Sequence, residues 1–256
     1  MTNIWILAKR ELKGYFASPI AYIVLAIFAV VVGYFFYSAT AVFVQYSMQA
    51  MMQGGQAPPM NVNDFIVRPM LGNVSVFVLF LMPMITMRLF AEEKRSGTIE
   101  LLLTSPLRDI EIILGKWLAA ILLYACMLGI SALNIGFLFL HGAPDWRPLL
   151  VGYLGLLLMG AAFLGLGAFI STLTRNQIVA ASLTFGVLLL LFVLDWVQSY
   201  STGPTGKVIS YLSITSHFES FSKGVIELKD AVYYLSVIFL VIFLTARSME
   251  SLRWRA

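Results

Sequence analysis

Cysteine and histidine are almost missing from this chain of 256 residues, which has one cysteine, Cys126, and two histidines, His141 and His217. A single thiol cannot close a disulfide within the chain, and so thin a supply of soft ligands excludes a metal centre of the Cys/His type, so no metal site is expected. Cys126 lies inside an apolar run, where packing is its expected role. Charge is scarce too, at 12% of residues against 60% hydrophobic, with a mean hydropathy of +0.88. Such a chain cannot present a solvated surface around a core, and a water-soluble fold is excluded. The net charge of +4 comes from basic residues that flank apolar runs, so no nucleic acid is expected as a partner. A phosphate-cradling loop is also absent. Gly115-Lys116 and Gly206-Lys207 are the Gly-Lys pairs, but Ile110 and Ser201 stand where such a loop needs its first glycine. No cofactor is therefore expected on this chain, and any ATP chemistry must come from another.

What is present is apolar runs long enough to cross a hydrocarbon core about 30 Å thick. Six spans are predicted, over about 20–43, 70–90, 112–140, 149–173, 177–195 and 230–247, in one all-α, polytopic membrane domain over 1–256. The first run, Ile20 to Phe43, has 24 residues, too long for the apolar core of a cleaved signal, about 7–15 residues, and it is read as an uncleaved span. With both termini in the cytoplasm, only Arg68, Arg147, Lys207, Lys223 and Lys229 of the 17 basic residues fall outside. This bias obeys the positive-inside rule and predicts an inner (cell) membrane protein with both ends cytoplasmic. The loop over 44–69 is read as polar and irregular. Its Met48, Met51, Met52 and Met60 have no Cys or His beside them, so soft-metal binding is not expected there.

Residues 3–16 have the period of an amphipathic helix. Ile4, Trp5, Ala8, Leu12, Tyr15 and Phe16 fall on one side and Lys9, Arg10 and Lys13 on the other, with Ile6 and Glu11 out of pattern. Ser18-Pro19 ends it. The expectation is an interfacial helix on the inner leaflet, touching lipid and a cytoplasmic partner together.

Between the second and third spans the charge becomes dense: Glu92-Glu93-Lys94-Arg95-Ser96-Gly97-Thr98-Ile99-Glu100. Gly97 permits a sharp turn, Glu100 suits a helix start, and Ser105-Pro106 is read as an N-cap with proline at the first helical position, leading into the third span. The chain thus makes a short lever bracketed by two spans, its carboxylates Glu92 and Glu93 expected in water or at an interface. Glu92, Glu93, Arg95, Gly97, Thr98, Glu100, Pro106 and Arg108 are its candidate working residues.

Those residues carry a family resemblance. The run Glu92 to Pro106, followed by Glu111 and Gly115-Lys116, resembles the coupling segment of ABC-2 type ABC-transporter permeases, and Lys9-Arg10-Glu11-Leu12 through Pro19 is similar to that family's start. The stretch Ser216 to Ile226, with Asp230 and Tyr233-Tyr234, resembles its gliding-motility branch. The resemblance implies a transmembrane subunit of an ATP-driven exporter, paired with a second permease copy or paralogue. It also implies separate P-loop ATPase subunits that bring ATP and Mg and seat the 92–109 segment. An additional envelope subunit is compatible with it.

The predicted outer segment 200–229 contains a short helix too small to cross. Ser216 and Glu219 have capping-box spacing, Ile214, Phe218, Phe221 and Val225 share a face, and Glu219–Lys223 and Lys223–Glu227 are spaced for ion pairs. By resemblance this is a short outer re-entrant helix, with Phe218, Glu219 and Phe221 as gate candidates; His217 is read as a packing residue. In the fourth span, Gly152, Gly155, Gly160, Gly165 and Gly167 predict close helix packing within the chain. An ion-coupled carrier is disfavoured because no acid, base or histidine lies near the middle of a span. An intramembrane hydrolase lacks a nucleophile with a base beside it. The remaining alternative to an exporter is a non-transporting scaffold or anchor for a motility or envelope machine.

Overall fold

A computed structural model describes residues 2–52, 61–104, 106–141, 144–198 and 211–253. The described residues contain helices and no strands. Helix α1 (Thr2–Ala17) precedes α2 (Pro19–Met52), and a π-helical turn over Asn63–Val67 runs into α3 (Arg68–Thr86). Two short helices follow, α4 (Ala91–Ser96) and α5 (Ile99–Leu103), then α6 (Asp109–His141), α7 (Trp146–Leu173) and α8 (Gln177–Gln198). The chain closes with α9 (Ile214–Ser222) and α10 (Leu228–Arg253). Six helical stretches are long and apolar enough to cross a membrane, as expected, and the protein is an all-α, multi-pass membrane protein.

The first span corrects the sequence reading. Residues 44–52, expected as loop, continue α2 to Met52, making it 34 residues long. At 1.5 Å per residue that is about 51 Å, well beyond a hydrocarbon core, so its last turns tolerate Gln45, Ser47 and Gln49. The Gly-Pro centre of the predicted loop, Gly54 to Pro59, lies outside the described residues, as does Met60.

Helix α7 is the hub, and its small residues explain why. A Cβ at Gly160 would lie 2.1 Å from the Tyr124 ring of α6, one at Gly165 2.4 Å from Val241 of α10, and one at Gly167 2.2 Å from Thr86 of α3. Gly152 and Gly155 receive Leu71 of α3 and Phe221 of α9 in the same way, each 2.4 Å from the position of the missing carbon. Every glycine of the predicted stripe is used inside this chain, where close backbone approach substitutes for the hydrophobic drive that lipid does not supply. The hydroxyl of Tyr124 donates to the Leu156 carbonyl at 2.9 Å and the Trp117 indole to the Ala161 carbonyl at 3.1 Å, fixing α6 on α7.

The periphery differs. Helix α2 exposes Tyr22, Ile23, Ile27, Val30, Tyr34 and Tyr37, and α8 exposes Ile178, Leu183, Val187 and Leu190. Helix α3 is mostly enclosed but leaves Val76, Phe80 and Met84 open on one stripe, with Phe80 against Phe185 of α8 at 5.3 Å between ring centres. Cys126 is exposed on α6 rather than packed.

Candidate functional site

One end of the bundle gathers α1, the α3–α4–α5 elbow, the start of α6 and the far end of α7. Helix α3 stops at Thr86, and the chain turns through 87–90 into α4. The first N–H groups of a helix have no partner within it. Here the Phe90 and Ala91 N–H groups both donate to the buried Ser171 hydroxyl of α7, at 3.1 and 3.0 Å. The Lys94 ammonium donates to the Thr172 carbonyl, and the Thr172 hydroxyl meets Ser248 of α10 at 2.8 Å. Helix α4 is thereby fastened to α7, which is itself tied to α10. It ends at Gly97 with φ of 75°, a left-handed conformation that glycine adopts without the Cβ penalty, and α5 departs in a new direction.

The centre of the elbow is a buried cation. Lys116 of α6 is 2% exposed. Its ammonium lies 2.7 Å from Glu93 of α4 and 3.3 Å from Glu11 of α1, and 5.7 Å from the centre of the Phe90 ring. Removing a charge from water is tolerated when partners of opposite sign surround it, so one lysine ties α1, α4 and α6 together. The same face of α1 places Leu7 on Gly115, where a Cβ would sit 2.7 Å from the leucine. Beside this triad is a cavity of about 440 Å³ bordered by Tyr15, Arg88, Glu92 and Glu93. Burial, and then the Glu11 carboxylate, push the Tyr15 phenol up, so it stays neutral.

Two sequence expectations change here. Glu93 is not a solvated carboxylate: its side chain is 18% exposed and holds Lys116. Glu92 is the solvated one at 54%, with Arg88 3.9 Å away. Glu11, out of pattern on a lipid-facing reading of α1, faces Lys116. Trp5, Lys9, Arg10 and Lys13 are exposed, with Arg10 3.2 Å from Glu11. Pro106 is an exposed bend rather than the first residue of a helix. Helix α6 starts at Asp109, where the Arg108 N–H donates to the Glu111 carboxylate at 3.0 Å. Ser105, the expected cap, lies outside the described residues. Arg95, Thr98, Glu100 and Arg108 are exposed around Leu101, itself 73% exposed.

At the opposite end, α9 is capped by Ser213, whose hydroxyl accepts from the Ser216 N–H at 3.4 Å, one turn before the expected cap at Ser216. It buries Ile214, His217, Phe218 and Phe221; Val225 lies past its end, after Gly224 with φ of 79°. Phe218 and Phe221 are thus wedged among α7 and its neighbours. Glu219 faces out, 2.7 Å from Lys223 and 3.5 Å from Arg68 of α3. Glu227 pairs with Lys229 at 2.6 Å instead of Lys223. His217 does pack, stacked on Tyr233 with ring centres 3.9 Å apart, and its Nδ1 lies 2.7 Å from buried Asp230. Residues 199–210, with Lys207, and the Trp196 side chain are outside what is described.

This architecture, a six-span bundle with a charged elbow braced on three helices, agrees with a match to the ABC-2 family transporter protein model over residues 5–248. The chain belongs to the ABC-2 transporter family. No curated protein matches it. For an ABC-2 protein, the elbow is the segment that the sequence resemblance singled out. Lys116 and Ser171 are the members that sequence reasoning missed. A buried lysine inside an otherwise apolar span is a signal that could have found the first, since such a group requires partners.

Proposed function

We propose that this ABC-2 protein is the transmembrane permease subunit of an ATP-driven exporter in the cell membrane, with both termini and the elbow cytoplasmic. ATP and Mg belong to separate P-loop ATPase subunits that seat residues 92–109. The observation that supports this most is the contrast within the elbow. The outer surface of α4 and α5 presents Glu92, Arg95, Glu100 and Leu101 to a partner, while the root of α4 is bonded to α6 and α7, and α7 in turn to α10. A push on that surface is delivered to several spans together.

Expression with the neighbouring genes should yield a complex containing a P-loop ATPase, and photo-crosslinkers at Glu92 or Leu101 should capture it. A purified complex with no ATPase, or crosslinks absent from both positions, overturns the reading and favours the scaffold alternative. The likeness of Ser216 to Ile226 to the gliding-motility branch bears on that alternative and not on the ATPase.

The stripe Val76, Phe80 and Met84 beside the open face of α8 supports a second permease copy or paralogue across a two-fold axis, with the second and fifth spans lining the path. Single cysteines along 74–86 and 180–192, with the exposed Cys126 replaced, should react with water-soluble thiol reagents in a nucleotide-dependent manner. Labelling confined to the first and fourth spans rejects this path.

A further inference from the structure

The cavity beside Lys116 is graded, and three separate walls are graded in the same sense. Along α1 and α2 it is lined by Glu11 and Tyr15, then by Ala21 and Val24; along α4, the 87–90 turn and α3 by Glu93 and Arg88, then Ile85; along α6 by Lys116, then Leu123. Each wall is polar at the elbow and apolar toward the middle of the bundle. At about 440 Å³ the space falls within the range of about 300–1,000 Å³ typical of small-molecule sites.

Its polar end also carries two unmet valences of opposite kind. The Arg88 Nε and the Glu93 Oε2 are both buried and have no hydrogen-bond partner among the described residues. Buried polar groups are nearly always satisfied, and an exception calls for a partner such as a water, an ion or a ligand. One group lacks an acceptor and the other a donor, although Glu92 lies 3.9 Å from the first and Lys116 holds the other oxygen of the second.

We propose that this cavity binds a zwitterionic phospholipid with a primary ammonium, a phosphatidylethanolamine, from the leaflet that α1 contacts. The phosphate would accept from Arg88, the ammonium would donate to Glu93, and an acyl chain would follow the Val24 and Leu123 walls. The chemistry discriminates among lipids. A trimethylammonium headgroup has no N–H to give Glu93. An anionic headgroup meets Glu11, Glu92 and Glu93, while Lys116 is already neutralised by two of them. The inference rests on the chain's place in a membrane and is independent of the exporter reading.

Native mass spectrometry of the full-length, delipidated protein titrated with an equal mixture of phosphatidylethanolamine, phosphatidylcholine and phosphatidylglycerol tests it. Phosphatidylethanolamine should be retained about tenfold over the others, since a charge-assisted hydrogen bond is at stake. Arg88→Gln, which removes the phosphate contact that the three lipids share, should lower the retention of each of them. Gly14 lines the same cavity, and a Cβ there meets nothing within 4 Å. Gly14→Phe should therefore fill the space and abolish retention with the melting temperature unchanged, which separates loss of the site from loss of the fold. Equal retention of the three lipids by the unaltered protein, or retention that either substitution leaves unchanged, overturns the proposal. Displacement by an equal concentration of soluble glycerophosphoethanolamine also overturns it, because the site would then belong to a free solute.

Discussion

Glu93→Lys should destabilise the protein by about 3–5 kcal/mol, the range for breaking a buried ion pair, while Glu92→Lys next to it should stay within about 0.5 kcal/mol. The difference comes from one helical step. Residue 93 points at Lys116, and a lysine there would bring two ammonium groups together where only Glu11 remains to neutralise them. Residue 92 points outward with Arg88 as a distant partner. Because the Glu93 side chain is 18% exposed, some water reaches the new charge and the lower part of the range is expected. Unfolding in mixed detergent and denaturant, followed by tryptophan fluorescence, compares the two. Equal stability of both variants would mean that Lys116 does not depend on Glu93. The pair also separates fold from coupling, since Glu92→Lys leaves the bundle intact and can be assayed for ATPase association alone.

Phe221→Ala should cost about 3–5 kcal/mol, as deletions of buried aromatic rings do. Phe221 is fully enclosed and sits on Gly155, so the cavity left behind cannot be filled by a neighbour on that side without moving α7. Glu219→Ala, on the outer face of the same helix, removes only exposed partners, Lys223 and Arg68, and should change stability by less than about 1 kcal/mol. If Phe221 moves in a gating step, its alanine variant should raise basal ATP turnover of the assembled complex. If it is a structural wedge, turnover should fall in step with the folded fraction. The same denaturation assay with turnover measured in parallel decides between them.

The spans were readable because each depends on local composition, and the elbow because its charges and Gly97 are contiguous. What was not readable depends on partners distant in the chain. Glu11 lies 105 residues before Lys116, so a helical wheel of α1 alone shows it as a defect. Lys116 is visible as a lysine within an apolar span, but nothing local names Glu11 as its partner. Ser171 gives no signal, because a serine near the end of an apolar helix commonly bonds its own backbone. His217 and Asp230 lie 13 apart, across a helix boundary that spacing rules do not span. Boundaries erred where polar residues occur in helix: residues 44–52 belong to a span that outruns the bilayer, the cap Ser213 sits one turn before Ser216, and α6 starts at Asp109, one turn after Pro106.

Gly97 divides the elbow into a part that is bolted down and a part that can swing, and the lengths set what each can deliver. Helix α5 has five residues, so it is about 7.5 Å long, and a swing of about 20° at Gly97 would carry its tip only about 2.6 Å. For α5 alone, a displacement of a full helical turn, about 5.4 Å, needs a swing of about 42° at Gly97. Travel of α4 is the other route, and it drags Ser171, Thr172 and, through them, Ser248. Small strokes are absorbed at the glycine; large ones that move α4 are passed to the ends of α7 and α10 as a rigid translation.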